Sequence, residues 1–95
     1  MCGWAEDQAA ISCFEDAQGA GRGAEIFFRY GTIEGDTIIA IARLSLDGEI
    51  VLYSDHSDDA CAGPQPFRSQ TCAGEEFVVI DGEIPWESCG EETSA

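Results

Sequence analysis

The chain has 95 residues and a mass of 10.2 kDa, with 44% hydrophobic residues and a formal net charge of −15 from 19 Asp and Glu against four Arg. One domain is the expectation at this length; the hydrophobic share excludes a disordered chain, and no apolar run approaches the about 18 residues that span a bilayer. The acidic balance disfavours binding to nucleic-acid phosphates or anionic lipid, and no nucleotide loop, metalloprotease helix or nucleophile elbow occurs.

The first predicted element runs from Trp4 to Gln18, with the helix covering most of residues 5–18. Ala10, Cys13, Phe14 and Ala17 recur at spacings of three and four, and Ile11 widens the stripe into an amphipathic face. Glu6 and Asp7 suit the positive end of the helix dipole, and Gly19 reads as the stop, with Gly21 and Gly23 following as a linker. Ala24 to Ile33 alternates with Ile26, Phe28 and Tyr30 on one face and Phe27 and Arg29 on the other, a strand pattern. Glu34-Gly35-Asp36 reads as a tight turn into a second strand, Thr37 to Leu44. Both faces of that strand are largely apolar, which predicts a central place in a sheet.

Asp47-Gly48 is a strong hairpin signal, followed by a third strand over Glu49 to Asp55. Ser54 to Pro66 is an acidic loop, and Phe67 to Cys72 reads as a fourth strand. Glu76 to Ile80 is predicted as a short fifth strand ending at an Asp81-Gly82 turn. Residues 1–90 form the expected single domain, with 91–95 a polar, frayed tail. One helix followed by hairpin-linked strands is an α+β order. The expected architecture is one N-terminal helix packed on a curled antiparallel meander of four to five strands, cystatin-like in outline. A closed β-barrel with an appended helix is the competing arrangement.

Five cysteines, Cys2, Cys13, Cys61, Cys72 and Cys89, are dense for a reducing compartment. No CxxC pair or His/Cys cluster has zinc spacing, so disulfides account for them better, and disulfides imply an oxidising, extracytoplasmic location. Met1 directly before Cys2 reads as a start placed on a trimmed mature domain. Cys2 also admits a reading as the lipidation site of a lipoprotein precursor.

The run Tyr30-Gly31-Thr32-Ile33-Glu34-Gly35-Asp36-Thr37-Ile38 resembles a T-x-E-G-D-P-I hairpin of small bacterial secreted or lipoprotein domains of unknown function. In that pattern a D-G turn follows, matched by Asp47-Gly48, and then a D-x-x-x-D segment, matched by Asp55 and Asp59. Cys72, Cys89, Cys2-Gly3 and Cys13-Phe14 fall at similar places. Thr37 stands where the pattern has Pro, and Ala60-Cys61-Ala62 replaces an aromatic-Gly pair. The resemblance implies an extracytoplasmic location and no catalytic residues, and it marks Cys61 as the added, free thiol. Chain order then favours two bridges. Cys72 and Cys89 tie the C-terminal segment to the fourth strand, and Cys2 doubles back over the helix to Cys13. The rival pairing joins Cys2 or Cys13 to Cys61.

Several candidate sites stand beside plainer readings. Ser54-Asp55-His56-Ser57-Asp58-Asp59 holds the side-chain types of a hydrolase triad, but neighbours on an extended chain point apart. Asp55, Ser57 and Asp59 have the spacing that opens a calcium loop, yet Ala60 replaces its Gly and Pro66 stands where its bidentate Glu belongs. An acidic surface loop is the simpler account, and no metal is assigned. Glu34 and Asp36 could present carboxylates at a hairpin tip to a cation or a basic partner, or serve the turn itself. With Asp55 and Asp59 they make up the candidate contact set. Trp4 and Trp86 could stack a ligand between them or seal the edges of the core.

These readings converge on an extracytoplasmic, non-catalytic binding domain that uses no cofactor. The alternative is an acidic inhibitor or immunity-type protein that caps a basic site on a partner. A basic protein surface is the expected partner; nucleic acid and a membrane span are not expected.

Overall fold

The computed structural model describes residues 2–31, 35, 37–55, 67–90 and 93–94. Among these residues, six strands in the order β1-β2-β3-β4-β5-β6 form one sheet, with one α-helix, α1, after β1. They are β1 (Gly3–Trp4), α1 (Gln8–Ala20), β2 (Ala24–Gly31), β3 (Thr37–Leu44), β4 (Ile50–Asp55), β5 (Phe67–Cys72) and β6 (Thr93–Ser94). The strands β2 to β5 are an antiparallel meander, as the hairpin signals predict, and β6 adds antiparallel to β5. The two-residue β1 lies parallel to β2 at the opposite edge, so the sheet is mixed. The fold is α+β.

The helix begins later than its apolar stripe suggests. Asp7 is the N-cap: its backbone is extended at φ −94°, and its carboxylate accepts the Ala9 N–H at 2.9 Å. Trp4, expected in the helix, instead pairs with Phe27 in β1, and the Ala5 N–H reaches the Phe27 carbonyl. At the other end Gly19 remains helical. The stop is Gly21, whose left-handed φ of 69° turns its own N–H and that of Arg22 back to the Ala17 carbonyl. A left-handed C-cap needs glycine at that one position and not at Gly19.

Ala10, Ile11, Phe14 and Ala17 are buried, and they pack on one face of the sheet. Alternation along the strands sends Ile26, Phe28, Ala40, Ala42, Leu44, Ile50 and Leu52 to that face. Ala40 and Ala42 belong to the same buried cluster as Phe14, Phe28 and Phe77. The Phe77 ring centroid is 5.9 Å from that of Phe14 and 6.4 Å from that of Phe28. The accessible surface of 5638 Å² is close to the roughly 5,300 Å² expected of a folded chain this size.

The segment after β5 corrects two expectations. Residues 76–80 are not a strand: Gly74–Glu76 form one 3₁₀ turn, and Ile80 bridges only to Glu83 across the Asp81-Gly82 turn. The side chains still alternate, Phe77 and Val79 inward and Val78 and Ile80 outward. The backbone bonds locally instead: the Val78 N–H reaches the Glu76 carbonyl, and the Gln18 amide donates to the Gly74 and Phe77 carbonyls. Period-two alternation reports burial on one side, not the presence of a neighbouring strand. Within the stretch expected as a frayed tail, Thr93 pairs with Ser69 and Ser94 with Arg68 at the edge of the sheet.

Candidate binding cleft

Two disulfides join Cys2 to Cys13 and Cys72 to Cys89, using four of the five cysteines. The first ties Cys2, the residue before β1, to the middle of α1, and the second closes an isolated bridge between β5 and residue 89. Cys61, expected as the free thiol, lies outside the described residues, as do Glu34, Asp36 and Asp59 of the candidate contact set. So do His56, Ser57 and Asp58. Ser54 and Asp55 are described, and β4 sends them to opposite faces, Ser54 buried toward the core and Asp55 on the far face beside Phe67 and Ile39. These two neighbours therefore do not converge. Among the described residues no group of three or more His, Cys, Asp or Glu side chains is placed to hold a metal.

The two tryptophans are not paired with each other. Trp4 packs on Phe27 at 5.5 Å between centroids, and the Arg29 guanidinium lies 4.2 Å above the Trp4 ring. Trp86 meets Tyr30 edge to face at 5.6 Å, at an interplanar angle of 82°. That second pair borders a cleft of about 540 Å³, the volume class of small-ligand sites.

Three segments build the cleft. The end of β2 supplies Phe28, Arg29 and Tyr30; the residues before α1 supply Glu6; the segment 81–86 supplies Asp81, Glu83, Ile84 and Trp86. The Asp81-Gly82 turn has positive φ at both central residues, 55° and 75°, the backbone signature of a tight primed hairpin turn. It sits close to the N-terminal segment: a Cβ on Gly82 would stand 3.1 Å from the Ala5 carbonyl oxygen. Glycine at that position therefore serves both the turn conformation and the approach that forms the cleft wall. Ile84 and Phe28 are buried beneath it, and Trp86 is half-exposed at its mouth.

Electrostatically the cleft is lopsided. Arg29 is engaged by Glu6 at 2.7 Å and by the Trp4 face. Asp81 and Glu83 stand exposed on the segment that also supplies Trp86. The arrangement presents an aromatic wall beside carboxylates, the chemistry that holds an organic cation through the ring quadrupole and charge attraction. β1 covers β2 only at Ile26 and Phe27, so Phe28–Gly31 form the sheet edge where the cleft opens.

Reading the sequence for adjacent polar residues draws attention to the loop after β4 and misses this site. Its three segments are far apart in the chain, 22 residues from Glu6 to Phe28 and 51 from Tyr30 to Asp81. The local clues are the Asp81-Gly82 turn and Trp86, and neither says what the segment faces. Comparison with protein families, curated proteins and solved structures returns no match.

Proposed function

We propose that this chain is an extracytoplasmic, non-catalytic binding domain whose cleft receives a cationic side chain from a basic protein surface. The observation that carries the reading is that the Tyr30–Trp86 aromatic pair lines the same cleft as the exposed Asp81 and Glu83 carboxylates. The net charge of −15 supports it, because a strongly acidic chain draws a basic partner over distances of a Debye length. That same charge favours a narrower version, an acidic inhibitor or immunity-type protein that caps a basic site. The two disulfides support an oxidising compartment, since such bridges persist where thiols are not held reduced.

The test is a titration with an arginine-rich peptide followed by NMR. The expected result is a set of shifts centred on Tyr30, Trp86 and the 81–84 turn. Trp86→Ala should weaken binding roughly fivefold, matching a cation–aromatic contact worth about 1 kcal/mol. Raising salt from about 0.1 to about 1 M, where the Debye length falls from about 10 to about 3 Å, should weaken binding further. Shifts confined to other surfaces, or an affinity indifferent to Trp86→Ala, would refute the cleft as the binding site.

A further inference from the structure

β2 has β3 along one edge for its whole length and β1 along the other for two residues only. The Cys2 and Ala5 N–H groups reach the Glu25 and Phe27 carbonyls, both at 2.8 Å, so these residues of β2 turn their backbone groups toward the β1 edge. Alternation turns the N–H and carbonyl of Arg29 the same way. The chain leaves that edge before it reaches them. After Ala5 it bends into α1: the Asp7 N–H bonds the Trp4 carbonyl, and the Ala5 carbonyl oxygen lies close to Gly82. Among the described residues no backbone group bonds the Arg29 N–H or carbonyl on that edge.

Arg29 also lines the cleft, together with Tyr30, Asp81, Glu83 and Trp86. Among the described residues neither Asp81 nor Glu83 is in an ion pair, whereas Glu6 is taken by the Arg29 guanidinium. A small cation would use only the rings and these carboxylates. The strand edge adds a backbone donor and a backbone acceptor on one residue, the pattern that another extended chain matches. The chain's own last described strand, β6, does not supply that partner, because it pairs with β5 at the far edge of the sheet.

We propose, resting on the reading of the cleft as a cation site, that the partner enters as an extended segment of a basic protein. It adds to β2 antiparallel beside Arg29 and delivers its cation from the neighbouring residue. Main-chain bonds then hold the segment and the cleft selects its side chain, the division of labour in strand addition. In an antiparallel pair one residue of the segment exchanges both backbone bonds with Arg29, and the residue before it stands opposite Tyr30.

The register fixes the order of charge in the segment. Directly opposed residues place their side chains on the same face of a sheet. The side chain opposite Tyr30 therefore lies on the side of the Tyr30–Trp86 pair, in the cleft that Asp81 and Glu83 also line. The side chain opposite Arg29 lies on the other face, beside a guanidinium, where a second cation is repelled. A positive residue followed by an uncharged one meets both requirements. The chain's charge of −15 draws such a segment and repels an acidic one.

The test is an NMR titration of the whole chain with a capped pentapeptide, a central arginine with two threonines on each side. N-acetylarginine methylamide serves as the cation alone. The pentapeptide should bind more tightly than the lone cation and slow hydrogen exchange at the Arg29 amide. It should also give a nuclear Overhauser contact between Tyr30 Hα and the Hα of the peptide arginine. Methylating the amide nitrogen of the threonine after the arginine removes the bond to the Arg29 carbonyl and should weaken binding about tenfold. Methylating the amide nitrogen of the arginine itself, which points away from β2, should leave the affinity nearly unchanged. Equal effects of the two methylations, or an Arg29 amide whose exchange the peptide does not slow, would overturn strand addition. The two readings fail separately. Binding that Trp86→Ala weakens but neither methylation alters removes only the added strand. An Arg29 amide protected by the peptide, with an affinity indifferent to Trp86→Ala, removes only the cation site. Binding of neither probe removes both.

Discussion

Gly74 shows how a single hydrogen in place of a methyl group holds two segments together. It follows β5 and lies against the β3–β4 hairpin, where a Cβ would run into the Gly48 carbonyl oxygen. Its φ is ordinary, so the requirement is space and not backbone freedom. Gly74→Ala should therefore destabilise by about 1–3 kcal/mol, as overpacking does, and lower the melting temperature by roughly 5–20 °C. A thermal melt within about 2 °C of the parent would show that the hairpin yields freely. Phe14 is the converse case. It is 1% exposed between α1 and Phe77, and truncating such a ring costs about 3–5 kcal/mol through lost burial and the cavity left behind.

At the scale of elements, α1 owes its start to one side chain. The first N–H groups of a helix have no partner inside it, and Asp7 satisfies that of Ala9. Asp7→Ala should cost about 1 kcal/mol, and Asp7→Asn should restore most of it, because an amide oxygen accepts the same bond. Urea unfolding separates these outcomes: equal midpoints for Asp7→Ala and the parent would remove the cap from the account. The strands depend on their neighbours instead. β3 has β2 on one side and β4 on the other, and Ile39 and Ile41 are only partly covered on the face away from α1. The apolar character on both sides of β3 therefore reflects two different surroundings. One is the core, and the other is the face that carries Ile39 and Ile41.

For the molecule as a whole, stability leans on cross-links. The bridges close loops with sequence separations of 11 and 17. In the chain-entropy picture each is worth about 3 kcal/mol. Together they are comparable to the about 5–15 kcal/mol that holds a typical domain folded. Replacing Cys72 and Cys89 together by Ala should lower stability by about 2–5 kcal/mol, and so should replacing Cys2 and Cys13. The fully reduced chain should lose much of its near-ultraviolet dichroism at 25 °C. Retention of the full signal after reduction would mean that the single core suffices without its staples.

The amino-acid sequence by itself determined the α+β order, the antiparallel meander, the buried faces of α1 and β2, and the placement of Arg29 on the face opposite Ile26 and Phe28. These follow from local rules, side-chain period and turn chemistry, which act over a few residues and leave a mark in any stretch of chain. Chain order also favoured the two disulfide pairs over a rival that composition left open. Tertiary structure alone decided that Trp4 joins β2 as a parallel edge strand, that residues 76–80 line the core without pairing, and that Thr93–Ser94 return to β5. Each depends on which backbone edge is free once the rest has folded, and no periodicity encodes that. The cleft belongs to the same class. Glu6, Tyr30, Asp81 and Trp86 meet because β2, the segment before α1 and the C-terminal turn end at one edge of the sheet, and their proximity exists only in three dimensions.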